Sequence, residues 1–195
     1  DPGDGVLFPQ PSYPLLDFLA QLAGVRIVPY PLHRPIDRYT TDFVALADLI
    51  QQQAGQGGAP RLRALVIVSP NNPTGSVLHR RELAALRALA VQHDLALIID
   101  EVFSDYALTG TSAGAGDDAD GDPWIPSVIG EPAHADADPL TFVLSGLSKV
   151  VGLPQLKLGW IHVSGRPPLR TLAQDRLELI ADTFLSVGTP VQIAA

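Results

Sequence analysis

The chain has 195 residues, of which 46% are apolar, and it contains neither cysteine nor methionine. This length and apolar fraction are enough for one large folded domain. The lack of cysteine excludes disulfide bonds and thiolate metal sites, and the apolar runs are too short to span a bilayer. Because no methionine opens the chain, which starts at DPGDG, we expect a fragment of a longer protein.

The formal net charge of −8 comes from one segment rather than from the whole chain. Seven acidic residues and no Lys or Arg lie between Tyr106 and Ser148, which leaves 14 acidic residues against 13 basic ones elsewhere. The Asp residues there are spaced irregularly among Gly and Ala, so residues 109–139 are predicted to be a solvated acidic loop insertion, not a metal site. No basic stripe suited to nucleic acid occurs.

Apolar runs of strand length alternate with helical patterns along the chain. This alternation predicts an α/β fold, a three-layer α/β/α arrangement with a mostly parallel central sheet. Strands are predicted, in chain order, at 6–8, 26–30, 64–68, 95–99, 140–144 and 158–163. Helices are predicted at 13–23, 41–53 and 79–93, and a last helix from about Pro167 has an expected inner side of Leu172, Leu177, Ile180 and Phe184.

Distinctive polar segments follow four of the predicted strands. In sheets of this kind, ligands bind beyond the carboxyl ends of the strands, which lie along one edge. We therefore expect these four segments to meet at one edge: PQPSYP, SPNNPTG, DEVFSDY and SGLSK.

Each polar residue of these segments has an ordinary structural interpretation when it is taken alone. Asp100 ends a buried apolar run, where ionisation is unfavourable without a cationic partner, but it also suits a helix cap. Asn72 suits a turn, Lys149 a surface charge, and Tyr13 simple packing. Together, a buried carboxylate, an amide donor, an aromatic ring and a lysine suit a planar cationic heterocycle that carries an aldehyde.

The sequence resembles the class I and II aminotransferases of the pyridoxal-phosphate-dependent aspartate aminotransferase superfamily (fold type I). The motifs SPNNPTG, IIDEVFSDY and SGLSKxxGLPxxKLGW stand in the family's order, and the resemblance runs from GDGVLFPQPSYP to DTFLSVGTPVQ. It implies that residues 1–195 are part of the cofactor-binding large domain, without the N-terminal phosphate loop and the C-terminal small domain. The fragment alone is then expected to be inactive.

The same resemblance implies an activity, a cofactor and partners. The activity is transfer of an amino group between an L-amino acid and a 2-oxo acid, and the cofactor is pyridoxal 5′-phosphate. The full-length protein is expected to be a cytoplasmic homodimer that binds neither nucleic acid nor membrane.

The resemblance also implies roles for individual residues. Lys149 would form the Schiff base with the cofactor aldehyde and, once displaced, move a proton at the substrate α-carbon. Asp100 would pair with the pyridine nitrogen and keep it protonated. Asn72 would donate a hydrogen bond to the phenolic oxygen, and Tyr13 would stack on the ring.

Ser148 and Lys157 are implied to bind the cofactor phosphate, and here the chain departs from the family's usual pattern. The family usually has Arg at position 157, whose planar guanidinium binds phosphate in a two-pronged manner that an ammonium cannot copy. Gly146 stands where Ser is frequent. Phe103 stands where Tyr commonly donates to the phenolic oxygen, so the phenolate is expected to be less stabilised.

Other classes of protein share parts of this pattern. LALIIDE also resembles the Walker B strand of a P-loop nucleotide hydrolase, but no GxxxxGK[ST] motif occurs. Within the superfamily, the same cofactor site serves carbon–sulfur lyases and the ligand-sensing domains of transcription regulators. These two alternatives remain open, because the reaction type is set by residues outside the chain.

Overall fold

The computed structural model describes residues 1–34, 38–55, 61–106, 121–132, 137–184 and 186–194. Within these residues the strands are β1 (Gly5–Gln10), β2 (Arg26–His33), β3 (Thr40–Thr41), β4 (Leu62–Val68), β5 (Ala96–Asp100), β6 (Thr141–Gly146) and β7 (Gly159–Ser164). The α-helices are α1 (Leu15–Leu22), α2 (Phe43–Gly55), α3 (Arg80–Gln92), α4 (Leu147–Val150), α5 (Pro167–Asp182) and α6 (Thr189–Ala194). Short 3₁₀ helices form at Val128–Gly130 and Pro154–Leu156.

The strands form one sheet in the order β3–β2–β1–β4–β5–β6–β7. The five strands from β2 to β6 in this order pair in parallel, whereas the edge strands β3 and β7 are antiparallel to their neighbours. The predicted α/β fold with a mostly parallel sheet is confirmed, and the six predicted strands form close to the predicted positions.

The direction of the connections places helices on both sides of the sheet. The connection from β1 to β2 runs toward the β3 edge of the sheet. The connections from β2 to β4 and from β4 to β5 run toward the β7 edge. Because such crossovers are right-handed, α1 lies on one face and α2 and α3 lie on the other. The core on the second face is formed by alternate strand residues and the inner sides of these two helices, including Leu7, Leu65, Leu97, Ile99, Leu46, Leu83 and Leu86.

The helix predicted from residue 41 begins two residues later. Thr40 and Thr41 instead form β3, which pairs with His33 and Leu32 of β2. Asp42 then caps the helix, because its Oδ1 accepts a hydrogen bond from the N–H of Ala45 at 3.0 Å. None of the described helices is both long enough and apolar enough to cross a membrane.

The expected inner side of the last long helix is wrong for three of its four residues, and only Leu177 is partly buried. In α5 only Ala173 is buried, while Leu172, Ile180 and Phe184 are 45%, 53% and 71% exposed. The apolar residues do recur with the helical period. However, α5 follows the edge strand β7, whose residues 159–162 are themselves exposed. Among the described residues there is no surface that covers this side of α5.

Part of the predicted acidic loop is packed rather than solvated. Ile125 and Val128 belong to the hydrophobic core, and Trp124 forms a β-bridge with His79. The buried carboxylate of Asp122 accepts hydrogen bonds from the N–H of Arg81 at 3.2 Å, in the first turn of α3. Residues 109–120 and 133–136 of the predicted loop lie outside the described residues.

Candidate functional site at the carboxyl ends of the strands

The carboxyl ends of β1, β4, β5 and β6 lie along one edge of the sheet, as predicted. The register pairs Val68 of β4 with Asp100 of β5, and Asp100 with Leu144 of β6. The segments that follow these strands therefore start side by side. The chain turns in opposite directions from β1 and from β4, which is the topological switch point where ligands of open α/β sheets bind.

Asp100 is the last residue of β5, and its carboxylate is partly buried. Its Oδ1 accepts a hydrogen bond from the N–H of Val102 at 3.1 Å. Burial raises the pKa of the Asp100 carboxyl, and this hydrogen bond offsets the rise only in part. In the described part of the chain no cationic side chain pairs with Asp100, so its negative charge is uncompensated there.

Lys149 lies in α4, the four-residue helix that begins directly after β6. Its side chain is exposed, and its Nζ lies 5.5 Å from the centre of the Phe103 ring. The hydroxyl of Tyr106 donates a hydrogen bond to the backbone carbonyl of Lys149 at 2.7 Å. The segment that follows Asp100 is therefore in direct contact with the lysine that follows β6.

The loops after β1 and β4 are joined by Asn71, a residue that sequence reasoning missed. Asn71 is 3% exposed. Its Nδ2 donates to the carbonyl of Pro11 at 2.9 Å and to the hydroxyl of Thr74 at 2.8 Å, and its Oδ1 accepts from the hydroxyl of Ser12 at 3.0 Å. This network holds the PQPSYP and SPNNPTG segments together.

Tyr13 and Asn72 are the neighbours of the hydrogen-bonded pair Ser12 and Asn71. The Tyr13 ring is 52% exposed, and Asn72 is exposed with no side-chain hydrogen bond to the described residues. The predicted turn is present, since the N–H of Gly75, which has a φ of 68°, donates to the carbonyl of Asn71 at 2.7 Å. The structure thus brings Tyr13 and Asn72 close in the fold, with both side chains accessible.

Ser148 and Lys157 lie on two segments that are held against each other. Ser148 is in α4 and partly buried, and the N–H of its neighbour Leu147 donates to the carbonyl of Leu158 at 3.0 Å. Lys157 is exposed and adopts a left-handed backbone conformation with a φ of 54°. Such a conformation is unfavourable for a residue with a side chain, and it tends to occur where function requires it.

The close approach of these segments explains the glycine at position 146. A Cβ atom built on Gly146 would lie 2.8 Å from the carbonyl oxygen of Leu158 and 3.0 Å from the Cα of Gly159. Both are backbone atoms, which cannot move without shifting the start of β7. A serine at this position is therefore incompatible with the present backbone.

Glu101 is a second residue that sequence reasoning missed. It is 4% exposed, and its two carboxylate oxygens accept hydrogen bonds from the hydroxyl of Ser127 at 2.6 Å and from the N–H of Val128 at 2.7 Å. Burial, together with repulsion from Asp100 and Asp105, raises the pKa of the Glu101 carboxyl, and these hydrogen bonds offset the rise only in part. Successive residues of an extended chain point to opposite faces of a sheet. Two consecutive acidic residues at a strand end, Asp100 and Glu101, therefore indicate that the carboxylates have different surroundings and that Glu101 can have a structural role.

The mostly parallel sheet, with polar segments beyond its strand ends, has the fold of the pyridoxal-phosphate-dependent aminotransferases of fold type I. Residues 1–195 match the family model of class I and II aminotransferases. The chain belongs to the class I and II aminotransferase family.

Curated relatives of this chain are aminotransferases. Glutamate-pyruvate aminotransferase AlaA of Escherichia coli strain K12 is 29% identical over 192 residues, which are 98% of this chain and 41% of that protein. Histidinol-phosphate aminotransferase of Granulibacter bethesdensis is 31% identical over 184 residues, which are 94% of this chain and 40% of that protein. The chain spans about two-fifths of the length of these relatives.

Solved structures share the fold. The crystal structure of an aminotransferase from Escherichia coli has a TM-score of 0.72 and 28% identity, and the match covers 98% of this chain and 41% of that one. Alanine aminotransferase from Pyrococcus furiosus has a TM-score of 0.74 and 23% identity, and the match covers 100% of this chain and 43% of that one. At its lower identity, the second likeness shows the shared fold alone.

Substituting Gly146→Ala is expected to destabilise the protein by about 1–3 kcal/mol, because the new methyl group meets the backbone of Leu158 and Gly159. The measurement is the free energy of unfolding in urea. Gly188→Ala is the matched control, since a Cβ there meets no atom within 4 Å. Equal stability of the two variants would contradict the proposed clash.

Substituting Glu101→Gln is expected to change how stability depends on pH. The folded protein binds the Glu101 proton more tightly than the unfolded chain, so this group's contribution is fully present below its ordinary pKa of 4.5 and is lost as pH rises through the raised value. The variant should therefore lose less stability above about pH 4.5. Unfolding in urea at a series of pH values measures this.

The matched control for Glu101→Gln is Glu178→Gln, at an exposed position of α5. This control should retain the pH dependence of the unsubstituted protein. If Glu101→Gln also retains it, burial of the Glu101 carboxyl does not contribute to the pH dependence, and the interpretation is wrong.

Proposed function

We propose that this chain is the cofactor-binding part of a pyridoxal-phosphate-dependent aminotransferase that moves an amino group between an L-amino acid and a 2-oxo acid. One observation carries the proposal. The carboxylate of Asp100, which has no cationic partner among the described residues, ends β5, and Lys149, which has no ion pair among them either, follows the neighbouring strand β6. Family membership and the named activities of the relatives support the same reaction.

Pyridoxal phosphate fits the groups present at this sheet edge. Asp100 pairs with no cationic side chain among the described residues, and a protonated pyridine nitrogen would supply such a cation. A partly buried carboxylate beside that nitrogen keeps the proton on it, because opposite charges at short range favour the charged forms of both groups. When bound, the cofactor supplies an electron sink for the negative charge that develops at the substrate α-carbon.

Lys149 is proposed to hold the cofactor covalently through its amine. Lys149 and Lys157 are the only lysines in the sequence, and of the two only Lys149 contacts the described residues that follow Asp100. After the substrate amine displaces it, the free amine of Lys149 takes the proton from the substrate α-carbon and later returns one. The short helix α4 keeps the amine at the strand end for both tasks.

The remaining residues are proposed to orient the cofactor. The accessible Asn72 amide can donate to the phenolic oxygen, and the exposed Tyr13 ring can stack on the heterocycle. Ser148 and Lys157 are proposed to bind the phosphate, an interaction in which the ammonium of Lys157 balances the phosphate charge. The hydrogen bond from Leu147 to Leu158 keeps their two segments adjacent.

The full-length protein is further proposed to act as a cytoplasmic homodimer, as the family resemblance implies. Its amino acid and 2-oxo acid substrates are drawn from the chemistry that the relatives' names describe, which includes glutamate with pyruvate. A panel of L-glutamate and L-alanine with pyruvate or 2-oxoglutarate is therefore the first choice for assays.

Reduction of the full-length protein with borohydride after loading with pyridoxal phosphate is expected to attach the cofactor irreversibly to Lys149. The expected readout is one modified peptide in mass spectrometry, together with loss of the visible absorbance of the lysine-bound cofactor. Lys149→Ala should abolish the labelling, and Lys157→Ala should retain it with weaker cofactor binding. Labelling of any other lysine overturns the assignment.

Substituting Asp100→Asn is expected to lower kcat/KM by roughly 10²- to 10³-fold, because removing one partner of a buried charge pair leaves the other uncompensated. Asp105→Asn, an exposed acid five residues later, is the matched control and should retain activity. The assay follows the amino product with the substrate panel above.

Two outcomes of this assay would contradict the proposal. Full activity of Asp100→Asn would remove the proposed role of the carboxylate. Release of ammonia without formation of an amino product would show a lyase instead of an aminotransferase.

A further inference from the structure

The contact between Tyr106 and Lys149 joins two segments that are distant in sequence. The Tyr106 hydroxyl donates to the Lys149 carbonyl at 2.7 Å, across 43 residues of sequence. The rings of Tyr106 and Phe103 meet edge to face, with centroids 5.8 Å apart and planes at 74°. The Phe103 ring in turn lies 5.5 Å from Nζ of Lys149. The two rings therefore contact the lysine at both its backbone and its amine.

The helix that carries Lys149 needs outside support. α4 has four residues and no side-chain cap at Gly146. Helices this short are not stable by themselves, since nucleation fixes several residues for few hydrogen bonds. The carbonyl of Lys149 also accepts from the N–H of Gly152 at 3.2 Å, a longer hydrogen bond than the one from Tyr106.

The Phe103 ring acts on the other end of the lysine. The face of an aromatic ring attracts an ammonium within about 6 Å, so Phe103 restrains the amine while it is not attached to a cofactor. The edge contact from Tyr106 keeps the Phe103 ring in the required orientation. A lysine side chain is otherwise among the most mobile in a protein.

We propose that Tyr106 is a positioning residue for Lys149, which acts through the lysine carbonyl and through the Phe103 ring to aim the free amine at the cofactor aldehyde. This inference rests on the proposed function, because it gives Lys149 the covalent role. Tyr106 itself touches neither substrate nor cofactor in this proposal. Its hydroxyl sets the position of the lysine backbone, and its ring sets the direction of the amine.

The test uses reductive methylation of the cofactor-free full-length protein with formaldehyde and cyanoborohydride, quantified for each lysine by mass spectrometry. Lys157 is an internal reference in the same molecule. Tyr106→Phe, which removes only the hydroxyl, and Phe103→Leu, which removes the ring face, are expected to raise the ratio of Lys149 to Lys157 labelling by about threefold. Tyr39→Phe, at a distant tyrosine that contacts Arg34, is the matched control.

A second measurement is the rate at which pyridoxal phosphate attaches to Lys149 in the same variants. The proposal expects this rate to fall by about tenfold in Tyr106→Phe, since a poorly aimed amine reacts more slowly at a defined position. Lost positioning is indicated when methylation of Lys149 becomes faster relative to Lys157 while attachment of pyridoxal phosphate to Lys149 becomes slower. An unchanged labelling ratio, or an equal rise at Lys149 and Lys157, overturns the proposal.

The two proposals fail in different ways. If the unsubstituted protein does not attach pyridoxal phosphate to Lys149, the proposed function is wrong, whatever the labelling ratio shows. If the cofactor attaches normally and at an unchanged rate in Tyr106→Phe, the proposed function stands and the positioning role of Tyr106 is wrong.

Discussion

Parallel pairing of β4, β5 and β6 in one register is the constraint on which the site depends. It sets Val68, Asp100 and Leu144 side by side, and the hydrogen-bond ladder continues beyond them. The N–H of Ser69 donates to the carbonyl of Asp100, and the N–H of Glu101 donates to the carbonyl of Leu144, both at 2.9 Å. A slip of one residue would turn every side chain of β5 to the other face, so Asp100 reaches the site only in this register.

The two consecutive carboxylates at the end of β5 differ in the donors around them, not only in their burial. Glu101 is surrounded by donors from Ser127 and Val128, which satisfy both oxygens and draw residues 127–130 onto the sheet. From the described residues, Asp100 receives one hydrogen bond, from the N–H of Val102. Both carboxyls have a raised pKa. Both oxygens of Glu101 are already hydrogen-bonded within the fold, whereas Asp100 can still accept further donors, including a cation.

The strands and the composition of the sheet edge were predictable from the sequence, because strands buried on both faces give continuous apolar runs and polar residues mark where they end. The sequence could not predict which of Asn71 and Asn72 is buried, because only the backbone of the turn decides which amide points inward. Periodicity predicted a face on α5, but it cannot say what covers that face. Tyr106 gave no signal, because it contacts a backbone carbonyl 43 residues away.

The state of Asp100 also links cation binding to pH. Since burial raises the pKa of its carboxyl, Asp100 keeps a proton to higher pH than an exposed aspartate does. A cation placed beside it favours the ionised form, so binding of the cation releases that proton and strengthens as pH rises through the raised value. Under the proposed function, burial of Asp100 therefore makes the binding of a cation beside it depend on pH.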